Sequence, residues 1–169
     1  MIRTSASALA PALAPAIAIA IALVAIPCTA LHAETAPPPE TRSYSAIFGG
    51  KIVGHLDATT NGNRTTIDFD VKNNGRGPTM AEVIETGADG LPARWDVTGK
   101  TTFGSKVEEH FLKAGGKATW IDSTGKGSAP AKGPSLYVAQ SGSPFSDQFY
   151  ARALLARPGM TMPRYPAAS

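Results

Sequence analysis

The stretch that decides the fold is Thr66–Gly75, TIDFDVKNNG. Apolar Ile67, Phe69 and Val71 alternate with polar residues, and the run ends in Asn73-Asn74-Gly75. Strict alternation predicts a half-buried β-strand, because successive side chains of a strand point to opposite faces. Asn and Gly directly after such a run supply the positive φ angles that a tight hairpin needs. The stretch therefore predicts a strand that ends in a hairpin turn.

The same alternation recurs between residues 42 and 139, in runs that contain Tyr44, Trp95, Phe111 and Trp120. Short glycine-bearing links separate the runs. These links are Gly49-Gly50, Asn61-Gly62-Asn63, Asn73-Asn74-Gly75, Asp89-Gly90 and Gly115-Gly116. Strands joined by links this short must be antiparallel neighbours. The pattern predicts a mainly β fold: a curved, half-barrel-like antiparallel meander of seven to eight strands, since glycine-rich sheets tend to bend.

The period of the pattern changes near the C-terminus. Ser143 and Pro144 are typical of a helix start, and Pro158-Gly159 is typical of a stop. Between them, apolar residues recur at helical spacing. These are Phe145, Phe149, Ala153 and Leu154. The spacing predicts one C-terminal helix over residues 144–156 that packs on the sheet.

These elements define a β domain over residues 42–157. Residues 34–41 contain three consecutive prolines and predict an extended leader. Residues 123–134 have no apolar pattern and predict a flexible loop. Residues 158–169 are rich in proline and predict an extended or disordered tail.

Residues 1–33 predict a signal peptide. Arg3 gives a positive start, and Ala16–Ile26 is an unbroken apolar run that is too short to span a bilayer. Ala33 is a small residue of the kind that signal peptidase requires, so we expect cleavage after it, with Ala30 as the second choice. The mature protein would then be exported, to the periplasm or the extracellular space.

The competing interpretation of this segment is an uncleaved anchor over residues 8–26, interrupted by Pro11 and Pro15. Cleavage would remove Cys28, the only cysteine, and leave no disulfide or thiolate site. It would also leave no segment able to span a membrane. Without Arg3 the chain has 15 basic against 13 acidic side chains, interspersed along the sequence, which argues against nucleic-acid binding.

About 136 residues would remain after cleavage, enough for one domain with a core. A two-domain enzyme does not fit this length. A closed (β/α)₈ barrel does not fit it either, because such barrels need roughly 200 residues or more.

Two pairs of residues have the chemistry of metal ligands. His55 and Asp57 share one face of a predicted strand, and Glu108 and His110 share one face of another. If the two strands were adjacent, the four side chains would form a divalent-metal site. The alternative is a solvated face with cross-strand charge pairs.

The loop after the deciding strand is the most distinctive local feature. Its two Gly and two Asn residues offer backbone amides, and Arg76 is suited to clamp a carboxylate or phosphate. Asp70 lies just before the loop on the polar face of its strand, and His55 is one of the two histidines of the mature chain. Arg76, His55 and Asp70 are therefore the ligand-binding candidates. The alternative is an ordinary hairpin with these side chains in water.

Four blocks of sequence suggest a family. The blocks are Phe48–Leu56 (FGGKIVGHL), Asp68–Pro78 (DFDVKNNGRGP), Thr101–Glu109 (TTFGSKVEE) and Ser135–Ser141 (SLYVAQS). Together they resemble the N-terminal region of secreted bacterial metal-dependent amidohydrolases. The resemblance covers most of residues 42–156.

The resemblance implies a region that precedes a catalytic (β/α)₈ barrel. In such proteins the barrel brings a His-x-His pair and further ligands for divalent metal, typically zinc, and hydrolyses amide-type C–N bonds. His55-Leu56-Asp57 is not such a pair, so no catalytic residue is carried over. The resemblance therefore implies a non-catalytic β domain whose partner is a barrel, and a chain that does not perform the reaction alone. A truncated reading frame or a detached domain would explain both.

The alternative function is a stand-alone periplasmic module that binds an apolar small molecule inside the curved sheet. Aromatic residues would line its cavity. These are Phe69, Trp95, Phe111, Trp120, Phe145 and Phe149. The competing interpretation is that the same side chains form the core of the domain.

Overall fold

The computed structural model describes residues 37–165. The predicted signal peptide, both of its cleavage sites and the first part of the predicted leader lie outside these residues.

An eight-stranded antiparallel sheet dominates the structure. Its strands are β1 (Glu40–Phe48), β2 (Lys51–Asn61), β3 (Arg64–Val71), β4 (Thr79–Thr86), β5 (Pro92–Lys100), β6 (Lys106–Ala114), β7 (Lys117–Asp122) and β8 (Gly125–Pro130). Their order in the sheet is their order in the chain, so the sheet is a meander. It is curved and open, with β1 and β8 at its two edges. The predicted meander is confirmed.

Two of the hairpins show why glycine-rich links separate the strands. Gly49 and Gly50 have φ angles of 57° and 75°, and Gly115 and Gly116 have φ angles of 57° and 74°. Two consecutive positive φ values form the type I′ turn, whose twist matches that of the strands it joins. Residues with a side chain adopt this conformation at a cost, so glycine at these positions favours the hairpins directly.

The structure corrects the predicted loop at residues 123–134, because Gly125–Pro130 forms edge strand β8 beside β7. Gly127 lies opposite Trp120, and a Cβ atom at this position would stand 2.6 Å from the indole ring. The Trp120 ring therefore occupies the space that a side chain at residue 127 would need. Glycine and alanine carry no apolar alternation, so the sequence pattern did not indicate this strand.

The strand register gathers the large apolar side chains on one side of the sheet, which we call the covered face. One cross-strand row of this face contains Ile84, Trp95, Phe111 and Trp120. Ile84, Trp95 and Phe111 are almost fully buried. The opposite side, the open face, carries mostly polar side chains.

Residues 136–165 form a C-terminal segment that lies over the covered face, and we call it the covering segment. It consists of β9 (Leu136–Tyr137), helix α1 (Ser146–Leu155), a 3₁₀ turn (Pro158–Met160) and β10 (Arg164–Tyr165). The predicted C-terminal helix is confirmed, although Ser143 is not its cap. Ser143 lies three residues before the helix, and its carbonyl oxygen accepts a hydrogen bond from the Ser146 hydroxyl at 2.7 Å.

The tail contributes to the core, which its proline-rich sequence did not indicate. β10 pairs in parallel with β9, and Tyr165 is buried. The Tyr165 ring stacks on Phe111 and Trp120 at centroid distances of 6.1 and 5.9 Å. Tyr137 stacks on Phe111 at 4.2 Å, so both short strands place a tyrosine against the sheet.

Two glutamate side chains lie on the covered face, each only 1% exposed. Glu82 of β4 and Glu109 of β6 occupy one cross-strand row, on either side of Val97 in β5. Buried carboxyl groups need hydrogen-bond donors, because the interior cannot replace the water they lose. Both accept hydrogen bonds from the covering segment, and Glu82 accepts a further one from the sheet.

Glu109 accepts hydrogen bonds from the Tyr137 hydroxyl and from the backbone N–H groups of Gln140 and Ser141, the last two at 2.8 and 3.0 Å. Glu82 accepts one from Trp95 Nε1 at 2.9 Å and one from the backbone N–H of Ser143. The loop over residues 140–143 is therefore fastened to the sheet through two side chains.

We expect Glu109→Ala to lower the free energy of unfolding by about 3 kcal/mol, because it leaves a tyrosine hydroxyl and two backbone N–H groups without their acceptor. Urea unfolding followed by tryptophan fluorescence measures the loss. The control is Glu108→Ala, which removes the same side chain from the neighbouring, solvent-exposed position. Equal stability of the two variants would contradict this role of Glu109.

Burial raises the pKa of Glu82 above its ordinary value of 4.5, and the nearby Glu109 adds to the rise, while hydrogen bonds from Ser143 and Trp95 oppose it. The folded state therefore holds a proton that the unfolded chain releases once the pH exceeds about 4.5. Stability from this group is present below that pH and is lost as the pH rises through the folded-state pKa.

Glu82→Gln removes this titration. We expect the unfolding free energy of the wild type, minus that of Glu82→Gln, to fall as the pH rises from about 4.5 towards neutrality. Urea unfolding of both proteins across this range measures the difference, in which the other titrating groups cancel. A difference that stays constant or grows with pH would show that Glu82 is not held in its protonated form.

Candidate functional site

The candidate site is a groove of about 760 Å³ at one end of the sheet. The link between β3 and β4 forms one wall, and the link between β5 and β6 forms the other. Both links lie at the same end, because consecutive strands of a meander alternate in direction. The polar and aromatic side chains that line the groove include Asp70, Lys72, Arg76, Lys100, Thr101 and Phe103.

The first wall is a tight turn that positions Arg76. Asn74 and Gly75 have φ angles of 52° and 74°, the type I′ geometry that an Asn-Gly pair favours. Asn73 and Arg76 flank the turn and share two backbone hydrogen bonds, of 2.8 and 3.1 Å. These two bonds hold the backbone of Arg76, and Arg76 lines the groove.

The second wall carries an exposed aromatic ring. Thr101 and Ser105 close this link through a backbone hydrogen bond of 2.9 Å, and the Thr101 hydroxyl accepts a second bond from the Ser105 N–H at 3.2 Å. Phe103 stands between them with 85% of its surface exposed. The link therefore holds a large apolar side chain in water.

The groove carries more positive than negative charge. Lys72 donates to Asp70 at 3.0 Å, and the Thr79 hydroxyl donates to the same carboxylate at 3.1 Å. The Lys72 hydrogen bond is the main reason that the pKa of Asp70 lies below its ordinary value. Arg76 and Lys100 take part in none of the ion pairs formed among residues 37–165.

Two of the three predicted ligand-binding residues, Arg76 and Asp70, line this groove. The third, His55, lies outside it, directly opposite Asp70 on strand β2. Its Nε2 atom is 3.4 Å from Asp68 and 4.0 Å from Asp57, so it faces other carboxylates of the open face. His55 is a neighbour of the groove rather than a part of its lining.

The condition for a metal site built from His55, Asp57, Glu108 and His110 is that their two strands are adjacent, and it is not met. Each pair does share one face of its strand, but β2 and β6 are separated by three other strands. His110 instead binds Asp96 through Nδ1 at 2.8 Å. No group of three or more His, Cys, Asp or Glu residues suited to a metal ion occurs within residues 37–165.

The six aromatic residues proposed for an apolar cavity are packed against one another. Trp95, Phe111 and Phe145 are buried in the main core cluster. Phe69, Trp120 and Phe149 are partly buried and pack against it. The covering segment fills the covered face, which agrees with the interpretation of these side chains as core.

Two residues that line the groove, Lys100 and Phe103, were not among the predicted candidates. Lys100 and Phe103 belong to a different hairpin from Arg76, so only the strand order brings them together. Once the link between β5 and β6 is located in the sequence, the meander order predicts that Lys100 and Phe103 lie near Arg76. The exposure of Phe103 is visible only in the structure, because an aromatic residue more often lies in a core.

Comparison with known proteins finds no family model, curated protein or solved structure that matches this chain. No helix within residues 37–165 is long and apolar enough to cross a membrane.

The ion pair inside the groove is open to a direct test. We expect Lys72→Met to raise the pKa of Asp70 towards its ordinary value, because the main hydrogen bond that favours the charged carboxylate disappears. Carboxyl carbon shifts followed by NMR across an acid titration measure it. Lys106→Met removes a lysine of another strand and should leave the Asp70 titration unchanged. An unaltered Asp70 pKa in Lys72→Met would contradict the pairing.

Proposed function

We propose that this chain is the non-catalytic N-terminal β domain of an exported amidohydrolase-like protein, and that it docks against a catalytic barrel. The sequence blocks that resemble the region before such a barrel support the proposal. The observation that carries it in the structure is a group of exposed apolar side chains on the hairpin of β1 and β2. We call this group the hairpin patch.

The hairpin patch consists of Tyr44, Ile47, Phe48 and Ile52, near the tip of the hairpin. The paired Ile47 and Ile52 lie on one side of the hairpin, and Tyr44 and Phe48 lie on the other. Ile47, Phe48 and Ile52 are 68%, 64% and 73% exposed, and Tyr44 is 46% exposed. Large apolar side chains clustered on a soluble domain are typical of a surface that another domain covers. Solvent exposure of so many in one hairpin is unfavourable, so burial against a partner would stabilise it.

The position of the hairpin patch also suits docking. Among residues 37–165, β1 has a neighbouring strand on one side only, so its outer backbone groups pair with no strand of this part of the chain. A register shift between Ala46 and Ile47 interrupts the pairing with β2 immediately before the exposed residues. Such irregularities re-aim side chains at sheet edges, which fits a hairpin shaped for contact.

In this proposal the hydrolytic chemistry, including the divalent metal, belongs to the barrel. The β domain supports the barrel or shapes the access to its active site. It acts in the periplasm or outside the cell, in keeping with the predicted signal peptide.

The gene gives the first test. We expect the DNA downstream of the Ser169 codon to encode a barrel with a His-x-His pair, in the same frame or in an adjacent one. Metal-dependent amide hydrolysis by the chain over residues 34–169 alone would overturn the non-catalytic assignment. Downstream DNA with no such barrel would overturn the partner assignment.

The hairpin patch gives the second test, in the protein that carries both parts. We expect Phe48→Ser and Ile52→Ser to uncouple the two parts, so that one thermal unfolding transition becomes two in calorimetry. Leu155→Ser is the matched control, since it removes an apolar side chain that is 73% exposed at the end of α1. Coupled unfolding in the hairpin variants, as in the control, would show that the barrel does not dock there.

A further inference from the structure

We propose that the groove between the links β3–β4 and β5–β6 is a binding site for a small organic monocarboxylate with an aromatic or apolar body. Arg76 would bind the carboxylate, and Phe103 would pack against the body. The inference does not rest on the proposed function, because every residue that it uses belongs to this chain.

Arg76 is suited to a carboxylate for three reasons. Its backbone is held in the type I′ turn by both hydrogen bonds with Asn73. It forms none of the ion pairs among the described residues. Its planar guanidinium group matches the two oxygens of a carboxylate, which a lysine ammonium does not.

Phe103 supplies the apolar part of the site. A phenyl ring that is 85% exposed gains by covering its face, and the hydrogen bonds of Thr101 hold the link that carries it. The ring lines the same groove as Arg76 but on the opposite wall. A ligand that spans the groove would therefore meet a cation at one end and an aromatic surface at the other.

The positive charge of the groove attracts anions, and its apolar wall distinguishes among them. Lys100 adds a second positive charge, and Asp70 is already paired with Lys72. A monocarboxylate can face Arg76 and Lys100 while its apolar body covers Phe103, whereas inorganic phosphate has no apolar body to place there. The hydroxyl groups of Thr101 and Thr102 can serve polar atoms such as an amide on that body.

The size of the groove also fits. Its volume of about 760 Å³ lies in the range of small-molecule sites, roughly 300–1,000 Å³. An acylated amino acid with one aromatic side chain has the required carboxylate, amide and ring.

The test uses N-acetyl-L-phenylalanine as the probe and the chain over residues 34–169. Titration followed by amide NMR should give saturable shifts in residues 75–77 and 101–104. N-acetyl-L-phenylalaninamide, which lacks the negative charge, should bind at least tenfold more weakly, since a charge-assisted hydrogen bond contributes about that factor or more. Inorganic phosphate should bind more weakly than the acid. Equal binding of acid and amide, or shifts confined to other residues, would overturn the proposal.

Variants separate the two halves of the site. Arg76→Gln should weaken binding of the acid at least tenfold, and Arg76→Lys should restore only part of it. Arg94→Gln removes the same charge from the open face, outside the groove lining, and should leave the affinity within about twofold. Phe103→Ser should weaken binding severalfold, with Leu155→Ser as its control. If Arg76→Gln binds the acid as tightly as Arg94→Gln does, the groove is not the binding site.

This experiment is independent of the docking tests, because the groove variants leave the hairpin patch intact. If the unaltered protein docks through the hairpin patch but does not bind the acid in the groove, the groove alone is rejected. If the unaltered chain binds the acid but the hairpin variants leave unfolding coupled, the proposed function alone is rejected.

Discussion

The structure depends on the hydrogen bonds that Glu82 and Glu109 accept on the covered face. Both side chains sit among apolar neighbours, where an unpaired carboxyl group would cost more than the fold can offset. The backbone N–H groups of residues 140–143 reach over the sheet and meet this need. Since few positions of the segment can satisfy both glutamates at once, we infer that they fix where α1, β9 and β10 lie. Apolar packing alone would tolerate a shift of the segment, as it has no direction.

This arrangement decides which surfaces remain for function. The covering segment occupies the covered face with Tyr137, Phe145 and Tyr165, so the curved sheet encloses packed side chains. The open face carries pairs such as Arg94 with Asp96, which keep it in water. The surfaces that remain for binding are the hairpin of β1 and β2 and the links at one end of the meander. Links tolerate unusual side chains better than strands do, because a strand position must satisfy two neighbours.

The sequence predicted the features that depend on neighbouring residues, and it did not predict contacts between residues far apart in the chain. Thr66–Gly75 gave the alternation and the turn together, and the glycine pairs gave the hairpins. The alternation even put Glu109 on the same face as Val107 and Phe111, but its donors lie about thirty residues further along the chain. The sequence did not predict β8, because Gly127 of this strand packs against Trp120 of β7 and no local pattern reveals that contact. In the groove, Arg76 and Asp70 could be predicted from the sequence because they belong to one hairpin. Phe103 could be added only once the order of the strands was known.

The hairpin patch and the groove lie near each other because of the order of the strands. In a meander, the links β1–β2, β3–β4 and β5–β6 follow one another along the same end of the sheet. The backbone N–H of Lys72, at the base of the Arg76 turn, donates to the carbonyl of Val53 in β2 at 2.7 Å, so the first wall of the groove is tied to the hairpin. A barrel docked on the hairpin patch would therefore stand beside the groove. In that position a ligand held by Arg76 would lie at the boundary between the two proposed parts, and the β domain would influence which molecules reach the barrel.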